Sequence, residues 1–307
     1  MYKVNKFSWF RNVIFALLPL LIIACGEGKR GDPDGIVEPG SAAKPYKELL
    51  LNDTGVNFYI DTETSVVINQ SNQPKPQAIE YAIEPANFPG QDAKFGRDVN
   101  LPSAVGGISG FDFVKLDKDT GAELPENSID FGCVKDRVTG LIWENKTAAN
   151  KSALSDYYKL HDSSAKHTWY DPNNSTNGGD TGQEASTGAC SSEVIATDTY
   201  NFVQAVNAEN LCGISNWRIP TTEELRSLVD YSVANGNFVN PMVDKNFFPY
   251  IATTLHRWTS QTLAPSPDRA FGFHFHDGIV QSHDKYCKGN NATNYGNGAI
   301  VVSGVFP

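Results

Sequence analysis

The stretch "LCGISNWRIPTTEEL", Leu211 to Leu225, constrains the fold more than any other run of this chain. Pro220 restricts Ile219 to extended backbone, so "SNWRIP" reads as a short strand. Thr221, with Glu224 three residues later, spells a capping box: the Thr hydroxyl accepts from the Glu amide, and the Glu carboxylate reaches back to the Thr amide. The helix "TEELRSLVDYS" then sets Leu225, Leu228 and Val229 on one face. Upstream, "TDTYNFVQAVNAENLCG" carries Phe202, Val203, Val206 and Leu211 at helical spacing, with Thr199 or Asp198 as N-cap and Cys212-Gly213 as the stop. Arg218 stands beside a Trp and just ahead of Glu223 and Glu224. A stacked, salt-bridged arginine bracing the strand-to-helix corner explains it more simply than a ligand contact.

The flanking segments supply strands. "FGCVKDRVTGLIWEN" predicts two strands about a polar turn at Gly140, with Leu141, Ile142 and Trp143 buried. "RWTSQT" reads as a strand, "FGFHFHDGIVQSH" as a hairpin through Asp277-Gly278, and "AIVVSGV" as a terminal strand. Residues 50–128 alternate short apolar runs with turn signals, including "FDFVKLDKDTGAEL" folded about a tight loop. They read as an irregular, strand-poor N-terminal part packed on a domain of residues 129–307. The expected class is α+β: a mixed antiparallel sheet, two helices and long loops stapled by two disulfides.

The amino-terminal end predicts a compartment. Lys3, Lys6 and Arg11 precede "VIFALLPLLIIA", an apolar run shorter than the roughly 20 residues of a membrane-spanning helix. "IIAC" looks like a bacterial lipobox, which predicts a signal peptide over residues 1–24, a diacylglycerol thioether on Cys25 and an acylated amino terminus in the bilayer. Residues 25–49, rich in Gly, Pro and charge, form a tether. Gly26, rather than Asp, follows Cys25, which points to the outer membrane or cell surface. Four cysteines remain, Cys133, Cys190, Cys212 and Cys287, and an even count in an exported protein implies two disulfides. Sequence allows three pairings; the favoured one is Cys133–Cys212, tying the strand pair to the helix end, with Cys190–Cys287 joining the two long loops. A formal net charge of -10 excludes a nucleic-acid binder, which needs a basic face.

Few motifs carry chemistry. The chain has no P-loop, no GxGxxG after a strand, no HExxH and no Ser-His-Asp elbow, so no catalytic residue is assigned. A two-residue turn at Asp277-Gly278 sets His276 opposite Ile279 and His274 opposite Gln281, with His283 diagonal to His274. Three imidazoles so close suit zinc or copper, although a solvated histidine face opposite the core side of Phe271, Phe273 and Phe275 is the commoner outcome. "WYDPNNSTNGGDTG" gathers Asp171, Asn173, Asn174 and Asp180 as oxygen ligands for Ca²⁺, but their spacing is not that of an EF-hand. A solvated polar loop is the simpler reading, and no cofactor is assigned. Long polar loops from Lys146 to Cys190 and from Asp284 to Asn297 carry Trp169, Tyr170, Tyr286 and Tyr295, aromatic rings suited to stacking on sugars.

Taken together, "CVKDRVTGLIWENKT", "LCGISNWRIPTTEELRSLVDYS" and "RWTSQT…FGFHFHDGIV" resemble the Lcl C-terminal domain family of bacterial surface proteins. "LNDTGV" and "GQDAKFGRD" are similar to its lipoprotein members, while the ending "AIVVSGVFP" departs from the Arg-containing strand usual in that family. The resemblance implies a fold akin to C-type lectins and to formylglycine-generating enzymes, and an association with sulfated glycans and adhesion. Glycan binding of that kind rests on basic clusters, which a chain of charge -10 does not obviously supply. The expected function is a lipid-anchored envelope module that binds carbohydrate or another extracellular ligand through its long loops. The alternatives are an enzyme using a reactive cysteine pair on the same fold, and an envelope structural protein whose partners are other envelope proteins.

Overall fold

A computed structural model describes residues 110–149, 156–185, 195–231, 242–251, 254–286 and 297–305, with scattered positions between 52 and 108. The signal peptide, the tether with Cys25, and Cys190, Cys287 and Tyr295 lie outside the described residues. The chain from Glu48 to Pro307 forms one compact unit. Near its start, β1 (Tyr59–Ile60) and β2 (Glu80–Tyr81) form a two-residue antiparallel ladder.

Two hairpins build the central sheet. β3 (Phe113–Leu116) and β4 (Glu123–Leu124) are joined by a loop in which the Asp117 carboxylate accepts from the amides of Asp119 (3.1 Å) and Thr120 (2.8 Å). β5 (Cys133–Asp136) and β6 (Ile142–Glu144) turn where Asp136 accepts from the Val138 amide (2.9 Å) and the Thr139 hydroxyl (2.6 Å), with Gly140 at φ +79°. The antiparallel order is β12-β6-β5-β3-β4, closed by β12 (Val302–Ser303). Residues before 129 therefore contribute strands to the same sheet as those after it.

Both faces of this sheet are covered, and strand alternation assigns each residue its side. Phe113, Val134, Trp143, Ile300 and Val302 pack with Leu225, Leu228, Phe247, Phe248, Phe273 and Phe275. Val114, Leu116, Cys133, Ala299 and Val301 pack with Phe202, Val206, Leu211 and Trp217. Double coverage explains why "AIVV" is apolar without a break: its residues serve the two cores in turn.

Among the described residues, two helices, Thr199–Glu209 and Thr222–Arg226, lie where sequence places them, and a third is unexpected. α1 (Asp156–Leu160) is a short helix in the long loop. α2 (Thr199–Glu209) is capped by Asp198, whose carboxylate accepts from the Asn201 amide at 2.7 Å. It stops at Asn210 in the left-handed region (φ 57°), ahead of the expected Cys-Gly, and a 3₁₀ turn over Leu211–Gly213 follows. α3 (Thr222–Arg226) opens with the complete capping box. Arg218 donates to both carboxylate oxygens of Glu224 (2.7 and 2.5 Å) and to the Gly304 carbonyl (2.9 Å), and it exchanges backbone hydrogen bonds with Val302. The arginine is the corner brace.

Cys133 and Cys212 form a disulfide, with Cα atoms 6.4 Å apart, joining β5 to the turn after α2. The β3–β4 loop closes over it, the Cys212 amide donating to the Lys118 carbonyl at 2.7 Å. A Cβ on Gly121 (φ +69°) would lie 2.3 Å from the Cys212 carbonyl oxygen, so only glycine fits there.

A second, three-stranded antiparallel sheet has the order β11-β10-β9: β9 (Arg257–Thr262), β10 (Arg269–His274) and β11 (Ile279–Asp284). Its hairpin corrects the two-residue turn. His274 pairs with Ile279, the Gly278 amide donates to the His274 carbonyl, and Phe275 to Gly278 make the turn. β7 (Lys166–Thr168) and β8 (Ile195–Asp198) form a parallel pair.

Candidate functional site

The loop after β7 is ordered by its own polar groups. Asp171 accepts from the Asn173 amide (2.9 Å) and the Thr176 hydroxyl (2.6 Å), and Asn173 from the Ser175 amide (3.1 Å) and hydroxyl (2.8 Å). Its centre is filled by a lysine. Lys285, fully buried just beyond β11, donates through Nζ to the carbonyls of Asn177 (2.8 Å) and Asp180 (2.7 Å). The ammonium rests 4.1 Å from the centroid of the Trp169 ring. Burial holds its pKa below the ordinary lysine value, against the opposite pull of Asp180, Asp171 and Asp268. An ammonium occupies the point on which the Asn177 and Asp180 carbonyls converge.

The aromatic residues expected to meet a ligand separate into different roles. Trp169 is 2% exposed, packs with Trp258 and Ala270, and donates its indole N–H to the Thr259 carbonyl at 2.9 Å. It belongs to the core, because its ring walls the lysine seat. The Tyr286 hydroxyl donates to Asp180 at 2.6 Å, and that bond pushes its pKa up to about 12. Tyr170 is half-buried. Thr199, the first residue of α2, accepts from the Tyr170 amide and donates to its carbonyl, both at 2.9 Å. That clasp brings Tyr200, 41% exposed, edge-on to Tyr170 with ring centroids 6.1 Å apart. The edge-on pair makes an aromatic platform, and exposed Pro172, Asn173 and Asn174 follow Tyr170 in sequence.

The histidines gather differently from the expectation. His256, just before β9, stacks on His274 (centroids 4.5 Å, 20° between planes) and touches His283 (4.5 Å). His276 lies in the turn, 5.7 Å from His274, and His274 Nδ1 is 2.9 Å from the Asp277 carboxylate. Among the described residues no group of three or more His, Cys, Asp or Glu side chains is arranged to hold a metal ion. His256 and His274 meet face to face, while the His256–His283 and His274–His276 pairs are tilted by 58° and 51°. Burial, with the neighbouring imidazoles, lowers the pKa of His256 to about 4.

The sequence profile of the Lcl C-terminal domain matches residues 132–293. The chain belongs to the Lcl C-terminal domain family. Comparison with curated proteins and comparison with solved structures each gave no significant match.

The matched part of this Lcl C-terminal domain also holds a buried ion network that sequence reading does not reveal. The Glu144 carboxylate accepts from Lys146 Nζ (2.8 Å), lies 2.6 Å from His161 Nδ1 and accepts from the Val301 amide (3.1 Å). His161 Nε2 lies 3.0 Å from Glu209 at the end of α2. Burial works to raise the Glu144 pKa, but Lys146 and His161 outweigh it and bring it down to about 2. Arg257, wholly buried, donates to the Ser163 carbonyl at 3.0 Å and has its pKa lowered by burial to about 10. The network joins β6, the loop after α1, α2 and the approach to β12. Its centre at Glu144, Lys146 and His161 is buried and only Glu209 reaches solvent, so it serves the fold. Tyr200, His256 and Lys285 escaped sequence reading because each acts through a partner distant in sequence. The nearest available signal was Thr199-Tyr200 at a recognised N-cap, which set Tyr200 at the start of α2.

Proposed function

We propose that this protein is a lipid-anchored binding module of the bacterial envelope that recognises carbohydrate through the Tyr170–Tyr200 platform. One observation carries the reading: Tyr170, on a loop braced by Lys285 and its internal hydrogen bonds, meets exposed Tyr200 of α2 edge-on. Rigid aromatic faces beside amide groups offer stacking and hydrogen bonds at little ordering cost, which is what a sugar ring requires. The lipobox at Cys25 supplies the anchor, and the buried disulfide fits an oxidising compartment outside the cytoplasm. A lectin-like arrangement of the fold, with a second disulfide between Cys190 and Cys287, belongs to the same reading. A thiol enzyme on this fold would have to draw on Cys190 and Cys287, because Cys133 and Cys212 are bonded to each other.

The test is an array of neutral and acidic glycans probed with the wild-type protein and Tyr200→Ala. Binding that Tyr200→Ala weakens by about ten-fold or more supports the platform. No binding above background on any glycan rejects carbohydrate and leaves envelope proteins as partners. Mass spectrometry of the peptide beginning at Cys25 tests the anchor; an unmodified amino terminus there removes it.

A further inference from the structure

A cleft unconnected with the tyrosine platform opens between the segment after β4 and residues 244–250. Its volume is about 660 Å³, within the usual range for small-molecule sites. The walls combine Phe131 with exposed Ile129, Pro249 and Tyr250, and Lys115 and Lys245 also line it. Ile129 is 95% exposed and Tyr250 42%, so an apolar mouth faces solvent.

Lys115 is the unusual member. It is central in β3 and only 6% exposed. Its Nζ donates to the Ser128 carbonyl at 2.8 Å and sits 4.6 Å from the Phe131 ring centroid and 5.5 Å from that of Phe247. Among the described residues no carboxylate comes within ion-pair distance of it, although an ammonium has three donors. Two other buried lysines are better provided for: Lys146 is paired with Glu144, and Lys285 is held by two carbonyls and an indole. Burial lowers the Lys115 pKa, although Glu126 and Asp244 act to raise it. A buried, under-bonded ammonium is costly unless something anionic completes it.

We propose that this cleft binds a small organic monoanion, a carboxylate on an apolar or aromatic body, with Lys115 receiving the carboxylate and Ile129, Pro249 and Tyr250 covering the body. One buried point charge suits one anionic group. Glu126 in the same lining opposes any anion and a polyanion most, and the apolar mouth has nothing to offer a densely charged polymer. The carboxylate belongs either to a free acid or to the terminus of a peptide.

The experiment is calorimetric titration of the full chain with N-acetylphenylalanine, its neutral amide, and a tripeptide ending in Phe with a free or amidated terminus. The acid should bind saturably, and about ten-fold or more tighter than the amide, the worth of one charge-assisted hydrogen bond. Lys115→Met should lose the same factor, Tyr250→Ala should bind several-fold more weakly, and Tyr200→Ala should bind as wild type. Tighter binding of the free-ended tripeptide than of the free acid assigns a peptide terminus, and the reverse assigns a small acid. Equal binding of acid and amide, or no saturable binding of either at millimolar concentration, overturns the proposal. Should Lys115→Met not fold, the Cε resonance of Lys115 in the wild-type protein decides: it must shift on adding the acid, and an unmoved signal overturns the assignment.

Discussion

Lys285 stands at the centre of a polar loop, and the chemistry of its seat suits an ammonium. Two carbonyls accept from Nζ, and the third side is an indole face, which attracts an organic cation but offers no oxygen. Lys285→Met keeps the apolar stem and removes the donors, leaving two buried carbonyls unpaired at about 1–3 kcal/mol each. We expect a loss of about 2–6 kcal/mol in urea unfolding, with faster amide exchange at Gly179 and Gly182, whose N–H groups bond within the same loop. Unchanged exchange at both would show that the loop holds itself without the lysine. Glu144 has the opposite dependence, since its loss strands cations. Glu144→Gln should cost about 3–5 kcal/mol, the penalty for breaking a buried pair from one side. Glu144→Leu combined with Lys146→Met should recover most of it, because apolar replacement of both partners removes the uncompensated charge. A double variant no more stable than the single would locate the cost in lost packing.

The three-stranded sheet shows where a local signal yields to burial. Asp277-Gly278 suggests a two-residue turn, but the hairpin closes at His274, and Phe275 leaves the ladder to enter the core. Its ring lies 5.0 Å from Phe273, and its carbonyl accepts from the Met242 amide. Burying a Phe side chain contributes about 1.5–3 kcal/mol, enough to override a turn preference. The pairing of Phe273 with Arg257 then brings His256 against His274, a contact that depends on β9 joining β10 and so is invisible within either strand. The groups around this cluster are His274, His283, Asp277, Arg269 and Asp284. His256 has a folded pKa of about 4, below the usual imidazole value of 6.5, and that of His283 is lowered in the same direction, mainly by burial. Between those values these two groups bind more protons in the unfolded chain, so their contribution to stability falls as pH drops from about 6.5 towards 4. His161 has the other sign: burial opposes its charge, but hydrogen bonds to Glu144 and Glu209 raise its pKa. Its contribution is complete below pH 6.5 and is lost only as pH rises through the raised value, so it cannot mask the acid-side fall. Thermal melts at pH 6.5, 5.5 and 4.5 should show a falling midpoint, with a shallower slope in His256→Gln. An identical slope in that variant would place the acid sensitivity elsewhere.

Across the whole molecule, what sequence discloses is what neighbours in sequence decide. The capping box, the Asp198 cap, the Gly140 turn and the Arg218–Glu224 brace each span a few residues, and each is formed. The double coverage of the central sheet, the seat of Lys285 and the Glu144 network depend on segments far apart in the chain, so no local pattern announces them. The Cys133–Cys212 bond bridges these two levels, since it ties a readable strand to a readable helix end across a sequence separation of 79. Cross-linking a loop of that length removes unfolded-state entropy worth about 4 kcal/mol at 25 °C in the chain-entropy description. Domains of this kind are stable by only about 5–15 kcal/mol, so the bond carries a large share. Both cysteines are buried, and the β3–β4 loop closes over them, with Cys212 bound to Lys118 and pressed by Gly121. Reductant should therefore leave the bond intact in the folded protein and cleave it once denaturant opens the loop. Cys133→Ala with Cys212→Ala keeps both positions apolar and should lower the unfolding free energy by about 4 kcal/mol. A loss below about 1 kcal/mol would mean that the loop and the two cores already fix this junction, leaving the disulfide redundant to the fold.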